Sequence, residues 1–205
     1  IHKKYLDGEN LTREDVQAIV EDTFYLPYAN SKMEQNMLES AKKSVDMYFE
    51  KNKADFKNIE MAEADIELDM GDGVKVNGRI DLVKHREISG EEKITIVDFK
   101  TADRDVPVCL VRDMIEEQLK IYALGYQELT GKSADYLEIL NLDKVESERV
   151  RVTEGLTETV AKDIRNAAQN IRENKLDRKC SKEKCSACYL NYLCLSKEEK
   201  KTYVE

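Results

Sequence analysis

The sequence lacks any long apolar run. None of its 205 residues belongs to a stretch approaching the ~20 apolar residues that a membrane-spanning helix requires. No basic-then-apolar leader precedes the first polar segment, and the chain opens on Ile1 and His2 without a Met. Internal repeats and low-complexity segments are absent as well. We therefore expect a piece of a longer cytoplasmic protein that has no membrane partner.

Basic residues are fewer than acidic residues. The 33 Lys and Arg residues are outnumbered by 42 Asp and Glu, which gives a formal net charge of -9. Neutralisation of phosphates by Lys and Arg supplies most non-specific affinity for nucleic acid, so this balance argues against strong DNA binding by the chain alone. If the chain acts on DNA, a neighbouring domain or subunit is expected to hold the strand.

Cysteines are too unevenly placed for a secreted disulfide scaffold. Four of the five fall within fifteen residues, with the spacing C-x4-C-x2-C-x5-C: Cys180, Cys185, Cys188 and Cys194. This pattern is compatible with zinc, with an iron-sulfur cluster or with free thiols, and free thiols fit least because such thiols are reactive. We predict a core domain over residues 1–176 and a Cys-rich, metal-binding tail over residues 177–205.

Hydrophobic periodicity predicts helices around a mixed sheet. Apolar residues recur every third or fourth position from Leu119 to Leu129, which is typical of one face of a helix. The Thr12-x-x-Asp15 pattern and a capping box that begins at Ser31 predict the starts of earlier helices. Three strands are predicted over 60–69, 74–83 and 94–101, and two more follow the helix. This order predicts an α/β (α+β) fold with a central mixed sheet flanked by helices.

Charged residues at the ends of two predicted strands indicate chemistry. Side chains alternate along a strand, so Asp98 and Lys100 are expected on one side and Phe99 on the other. On the preceding strand, Ile80 and Leu82 are expected to share a face, with Asp81 on the opposite, polar face. An unpaired charge at the end of an apolar run costs several kcal/mol unless a metal or partner offsets it. Carboxylate oxygens suit Mg²⁺ or Mn²⁺, so a metal site is predicted.

These residues resemble the PD-(D/E)xK nucleases, and within them the RecB-like branch found in helicase-nucleases and CRISPR accessory nucleases. Asp81 matches the first Asp in its Gly-x-Ile-Asp setting, and Asp98-Phe99-Lys100 matches the (D/E)xK element. The branch also has a Gln-x-x-x-Tyr helix, an early metal-binding His and a C-x2-C-x5-C ending. The matching positions are Gln118 and Tyr122, His2, and Cys185, Cys188 and Cys194. The resemblance spans nearly the whole chain.

The resemblance implies a restriction-endonuclease-like core that hydrolyses phosphodiester bonds. Four groups would hold Mg²⁺ or Mn²⁺: His2, Asp81, Asp98 and the backbone carbonyl of Phe99. Lys100 would orient the attacking water and offset charge on the phosphate, while Gln118 and Tyr122 would brace the site and touch the DNA backbone. For the tail, the resemblance favours a [4Fe-4S] cluster over Zn²⁺. Either Cys180 is its fourth ligand or that ligand lies upstream of His2.

Three functions are compatible with these patterns. The first is a DNA exonuclease domain that works with a helicase domain or subunit in DNA repair or recombination. The second is a CRISPR-adaptation-type nuclease without a helicase, and the third is a non-catalytic module that binds DNA ends. The joint presence of Asp81, Asp98 and Lys100 argues against the third. Helicase motifs in the full-length reading frame would separate the first two.

Overall fold

The computed structural model describes residues 1–101, 108–175, 177–178, 181–186 and 188–204, with backbone alone for 108–115 and 183. The helices, in chain order, are α1 (His2–Leu6), α2 (Arg13–Thr23), α3 (Ser31–Asn52), a 3₁₀ helix (Lys53–Asn58), α4 (Val108–Thr130), α5 (Leu156–Arg172), α6 (Lys182–Ser186), α7 (Asn191–Cys194) and α8 (Lys197–Tyr203). The strands are β1 (Ile59–Asp69), β2 (Lys75–Ile88), β3 (Glu91–Lys100), β4 (Tyr136–Asn141) and β5 (Glu146–Arg151).

The described strands form one mixed sheet in the order β1-β2-β3-β4-β5. β3 and β4 are parallel, and the other neighbouring pairs are antiparallel. Helix α4 makes the crossover that a parallel pair requires, because a short turn cannot return the chain to the same end of the sheet. The predicted α/β fold with a mixed sheet flanked by helices is confirmed.

The two faces of the sheet carry separate apolar cores. On the face covered by α4, the fully buried members include Ile80, Val83, Ile96, Leu119 and Tyr126. On the face covered by α2, α3 and the 3₁₀ helix, the buried members include Val16, Tyr48, Phe49, Phe56, Leu82 and Val97. We call these the α4-side core and the α3-side core. Helix α5 packs outside α4 through Val160 and Leu124.

A glycine lets α4 approach the sheet closely. A Cβ at Gly125 would lie 2.6 Å from Cδ1 and 3.0 Å from Cγ2 of Ile66 on β1, so a larger residue would force the helix or the strand to move. This close contact also brings Tyr122, one turn earlier, against Gly78 of β2, where a Cβ would lie 3.6 Å from the Tyr122 ring. The helix is thereby held over the end of the sheet where the charged residues lie.

Some local predictions are confirmed and others are wrong. Helix α2 begins directly after Thr12, its N-cap, as predicted, and Thr12 and Asp15 form a capping box there. The predicted cap at Ser31 is wrong by one residue, because the side chain of Asn30 accepts the backbone N–H of Met33 at 2.9 Å. Leu129 is 52% exposed, so the buried stripe of α4 ends before it. Within the described residues, no helix is long and apolar enough to cross a membrane.

Candidate active site

The β2–β3 ladder opens beside two aspartates. Its pairing ends with Leu82 opposite Val97, while β3 stays paired with β4 as far as Lys100 opposite Asn141. Continuing the β2–β3 register would place Asp81 opposite Asp98. Instead, Oδ2 of Asp81 accepts the backbone N–H of Phe99 at 2.9 Å. The gap between the strands therefore has an acidic side chain on each side.

Four of the predicted site residues form one polar chain on the α4 side of the sheet. Nζ of Lys100 lies 2.7 Å from Oδ2 of Asp98 and donates to Oε1 of Gln118 at 3.0 Å. Nε2 of Gln118 donates in turn to the hydroxyl of Tyr122 at 2.7 Å. Since Gln118 and Tyr122 are one turn apart on α4, the helix fixes the position of the Lys100 ammonium.

Asp98 is a buried carboxylate that is only partly compensated. It is 1% exposed, and burial raises the pKa of its carboxyl group, an effect that Lys100 opposes and the nearby Asp81 reinforces. Within the described residues, Oδ2 of Asp98 has no hydrogen bond of good geometry despite its contact with the Lys100 ammonium. A second cation would offset this remaining cost.

The donor set fits Mg²⁺ or Mn²⁺. Such ions are commonly held by one or two carboxylates, with waters and substrate phosphates completing the shell, and not by an all-protein cage. Asp81 and Asp98 supply the carboxylates, and Oδ2 of Asp98 would exchange its contact with the Lys100 ammonium for the metal. Within the described part of the chain, no group of three or more His, Cys, Asp or Glu side chains is placed to hold a metal. The pair therefore relies on further ligands.

His2 lies on the opposite side of β3, in an aromatic cluster. Its ring stacks on Phe99 with centroids 5.6 Å apart and meets Phe56 edge-on at 5.0 Å. Its Nε2 lies 2.9 Å from the hydroxyl of Tyr48. Burial lowers the pKa of His2 to about 4, so the imidazole is neutral at physiological pH. A neutral imidazole can bind a metal, and the metal role of His2 stays a prediction.

The titration of His2 predicts a loss of stability in acid. Its folded pKa, about 4, lies below the ordinary value of 6.5, so the unfolded chain binds a proton first as pH falls. The contribution of neutral His2 to the free energy of unfolding is full above pH 6.5. It falls by up to about 3 kcal/mol as the pH drops from 6.5 to 4. We expect His2→Phe, which keeps an aromatic ring, to lose less stability over this range. Urea unfolding at several pH values measures the free energy of unfolding of both proteins. If that free energy changed equally with pH in the parent and in His2→Phe, the prediction would be contradicted.

The described cysteines of the tail are not grouped into the predicted metal site. Cys185 is buried, whereas Cys188 and Cys194 are exposed, and all three are free thiols. Cys180 lies outside the described residues. The backbone N–H of Cys188 donates to the carbonyl of Cys185 at 3.3 Å, so these two residues share a turn. As placed, the described thiols do not form a metal-binding group and do not fit a cluster.

Two residues near the site have structural features that the sequence did not indicate. Tyr48 fits the apolar stripe of α3, yet its hydroxyl contacts His2. Glu63 on β1 reads as an ordinary solvated carboxylate, yet its backbone φ is +48°. Left-handed backbone at a strand Glu has no sequence signal, because Gly and Asn are the residues that mark such positions.

The chain belongs to the PD-(D/E)XK nuclease superfamily, whose family model matches residues 2–195. Nucleases of this superfamily are hydrolases that act on nucleic acids and generally use divalent metals such as Mg²⁺ or Mn²⁺. The five-stranded mixed sheet with its flanking helices is consistent with the restriction-endonuclease-like fold that the resemblance implied.

Solved structures also resemble this chain. The protein SSO0001 shares 16% sequence identity over 89% of this chain and 93% of its own, with a TM-score of 0.43. A proposed exonuclease from Eubacterium rectale shares 12% identity over 94% of this chain and 79% of its own, with a TM-score of 0.48. A comparison with curated proteins finds no match.

Proposed function

We propose that this domain is a Mg²⁺- or Mn²⁺-dependent deoxyribonuclease that acts as an exonuclease. One observation carries the proposal: the acidic gap at Asp81 and Asp98 opens beside an ammonium that α4 holds in place. A surface charge cluster would not need a 1%-exposed carboxylate. The superfamily to which the chain belongs supports nuclease chemistry at this gap.

Each residue has a role that follows from its position. Asp81 and Asp98 would hold the metal together with the backbone carbonyl of Phe99, and the metal when bound supplies Lewis-acid stabilisation of the phosphate. Lys100 is 31% exposed and can turn its ammonium from Asp98 toward a water or a phosphate oxygen. Gln118, which Tyr122 holds in turn, keeps the ammonium beside the acidic gap, where negative charge develops.

A neighbouring protein would strengthen binding of the strand. The net charge of -9 gives the chain little electrostatic affinity for DNA. We propose that the neighbour is a helicase domain or subunit acting in cytoplasmic DNA repair or recombination. The free thiols of Cys185, Cys188 and Cys194 are compatible with a reducing compartment.

Matched linear and circular DNA test the proposed function. With Mn²⁺ present, a linear single strand should be shortened from its end, while a circular strand of the same sequence should stay intact. Labels at the 5′ or the 3′ end then give the polarity. Cleavage of the circle would replace the exonuclease by an endonuclease. Intact linear DNA in both metals would contradict nuclease function.

We also propose that the tail binds a [4Fe-4S] cluster, with Zn²⁺ as the alternative. The spacing of Cys180, Cys185, Cys188 and Cys194 supports thiolate ligation. Because the described thiols are not grouped, binding would require α6 and α7 to rearrange. Ligation would supply folding free energy to a segment with little apolar burial.

The colour and metal content of the tail distinguish these ligands. Anaerobically purified protein should be brown, with broad absorption near ~400 nm. Cys188→Ser should remove the colour and lower the melting temperature, whereas Ser186→Ala, in the same segment, should change neither. A colourless protein with one equivalent of zinc would replace the cluster by zinc. A colourless, metal-free protein whose Cys188→Ser variant melts like the parent would refute any metal role.

A further inference from the structure

β1 carries a left-handed residue in the middle of the strand. Glu63 has a φ of +48°, although β1 runs from Ile59 to Asp69. For a residue other than Gly this backbone costs about 1–3 kcal/mol, and it persists only where the surroundings hold it. The pairing of β1 with β2 shows which residue lies opposite Glu63.

Glu63 lies opposite the first predicted metal ligand. Ala62 pairs with Leu82 and Ala64 pairs with Ile80, so the position between them sets Glu63 across from Asp81. The irregular residue of β1 and the acidic residue of β2 therefore occupy one cross-strand position.

Both strands change face at this position. Residues two apart on a regular strand share a face, yet Ile80 belongs to the α4-side core and Leu82 to the α3-side core. On β1, Ala64 packs against the α4-side core and Ala62 lies in the α3-side core. Each strand thus breaks its alternation at this position, where Glu63 and Asp81 lie opposite each other.

This break determines where Asp81 can reach. Regular alternation would keep Ile80 and Leu82 on one face and Asp81 on the other, as the sequence predicted. With the break, the Asp81 carboxylate reaches across the open ladder to the backbone N–H of Phe99, beside Asp98.

We propose that Glu63 is a positioning residue whose left-handed backbone directs Asp81 toward Asp98; this rests on the proposed function. The role lies in the backbone and not in the charge of Glu63. Its carboxylate pairs with Lys3 at 3.3 Å, and both side chains are more than half exposed. Exposed pairs of this kind contribute little.

Substitutions that separate backbone from charge test the proposal. Val strongly disfavours positive φ, whereas Gly and Asn adopt it readily and remove the carboxylate. We expect Glu63→Val to weaken Mn²⁺ affinity and kcat for DNA hydrolysis about 10- to 100-fold, as misplacing a ligand does. Glu63→Gly and Glu63→Asn should retain both. Glu67→Val is the matched control, because Glu67 is an exposed Glu of the same strand with regular pairing.

Calorimetric Mn²⁺ titration and turnover assays measure the effect, and thermal unfolding checks that each variant folds. If Glu63→Val does not fold, Glu63→Ala takes its place, with a smaller loss expected. Parent-like Mn²⁺ affinity in the folded Val or Ala variant would overturn the proposal. Equal losses in the Gly and Asn variants would overturn it too, because the charge would then matter. A parent protein without metal-dependent hydrolysis would instead refute the proposed nuclease function.

Discussion

Lys100→Met is expected to lower kcat for DNA hydrolysis by roughly 10²- to 10³-fold while the protein still folds. The substitution keeps the length of the side chain and removes the ammonium that lies between Asp98 and Gln118. It should also lower stability at neutral pH by about 1–3 kcal/mol, because Asp98 is left buried without its cation. Single-turnover assays and urea unfolding measure the two effects.

A lysine on α4 provides the control. Lys120 is also 31% exposed and is paired with a carboxylate, Glu117, at 2.6 Å. Lys120→Met should leave kcat unchanged if the position of Lys100 at the acidic gap is what matters. Parent-like turnover by Lys100→Met, or an equal loss in Lys120→Met, would show that Lys100 has no special role.

Asp98→Asn is expected to abolish metal-dependent activity and to stabilise the metal-free protein. The raised pKa of Asp98, caused first by burial, means that the folded state holds the proton more tightly than the unfolded state does. Its contribution to stability is therefore full below the ordinary Asp pKa and is lost as pH rises through the raised pKa. An amide avoids this loss and can still accept from Lys100.

Thermal unfolding as a function of pH measures how the Asp98 carboxylate affects stability with and without metal. Without metal, Asp98→Asn should melt above the parent at neutral pH, and the difference should disappear in acid. Added Mn²⁺ should raise the melting temperature of the parent alone, since only the folded parent binds it. Asp65→Asn, at an exposed strand Asp paired with Arg79, serves as the control. A variant less stable than the parent at neutral pH would show that the Asp98 charge is fully compensated.

Short-range patterns predicted much of the fold. The alternation of β3 correctly placed Asp98 and Lys100 on one side and Phe99 on the other, because pleating depends only on neighbouring residues. The apolar period of α4 likewise identified Leu119 and Tyr122 as inward-facing. The end of this stripe was predicted less accurately: Leu129 is exposed, since burial at a helix end depends on what packs there.

Long-range effects could not be predicted in the same way. The break in alternation at Asp81 lies opposite the left-handed Glu63 of the neighbouring strand, and the sequence of one strand does not specify the backbone of its partner. The aromatic surroundings of His2 come from α3 and the 3₁₀ helix, about 50 residues away in the chain. The single polar chain from Asp98 to Tyr122 required the close approach of α4 at Gly125.

Metal dependence of DNA hydrolysis tests the central claim most directly. The protein is stripped with EDTA, dialysed and incubated with end-labelled single-stranded DNA, before and after Mg²⁺ or Mn²⁺ is added back. The carboxylates of Asp81 and Asp98 require a metal for this chemistry, so no products are expected before addition and shortened strands are expected after it. DNA hydrolysis at the same rate in excess EDTA would contradict the account.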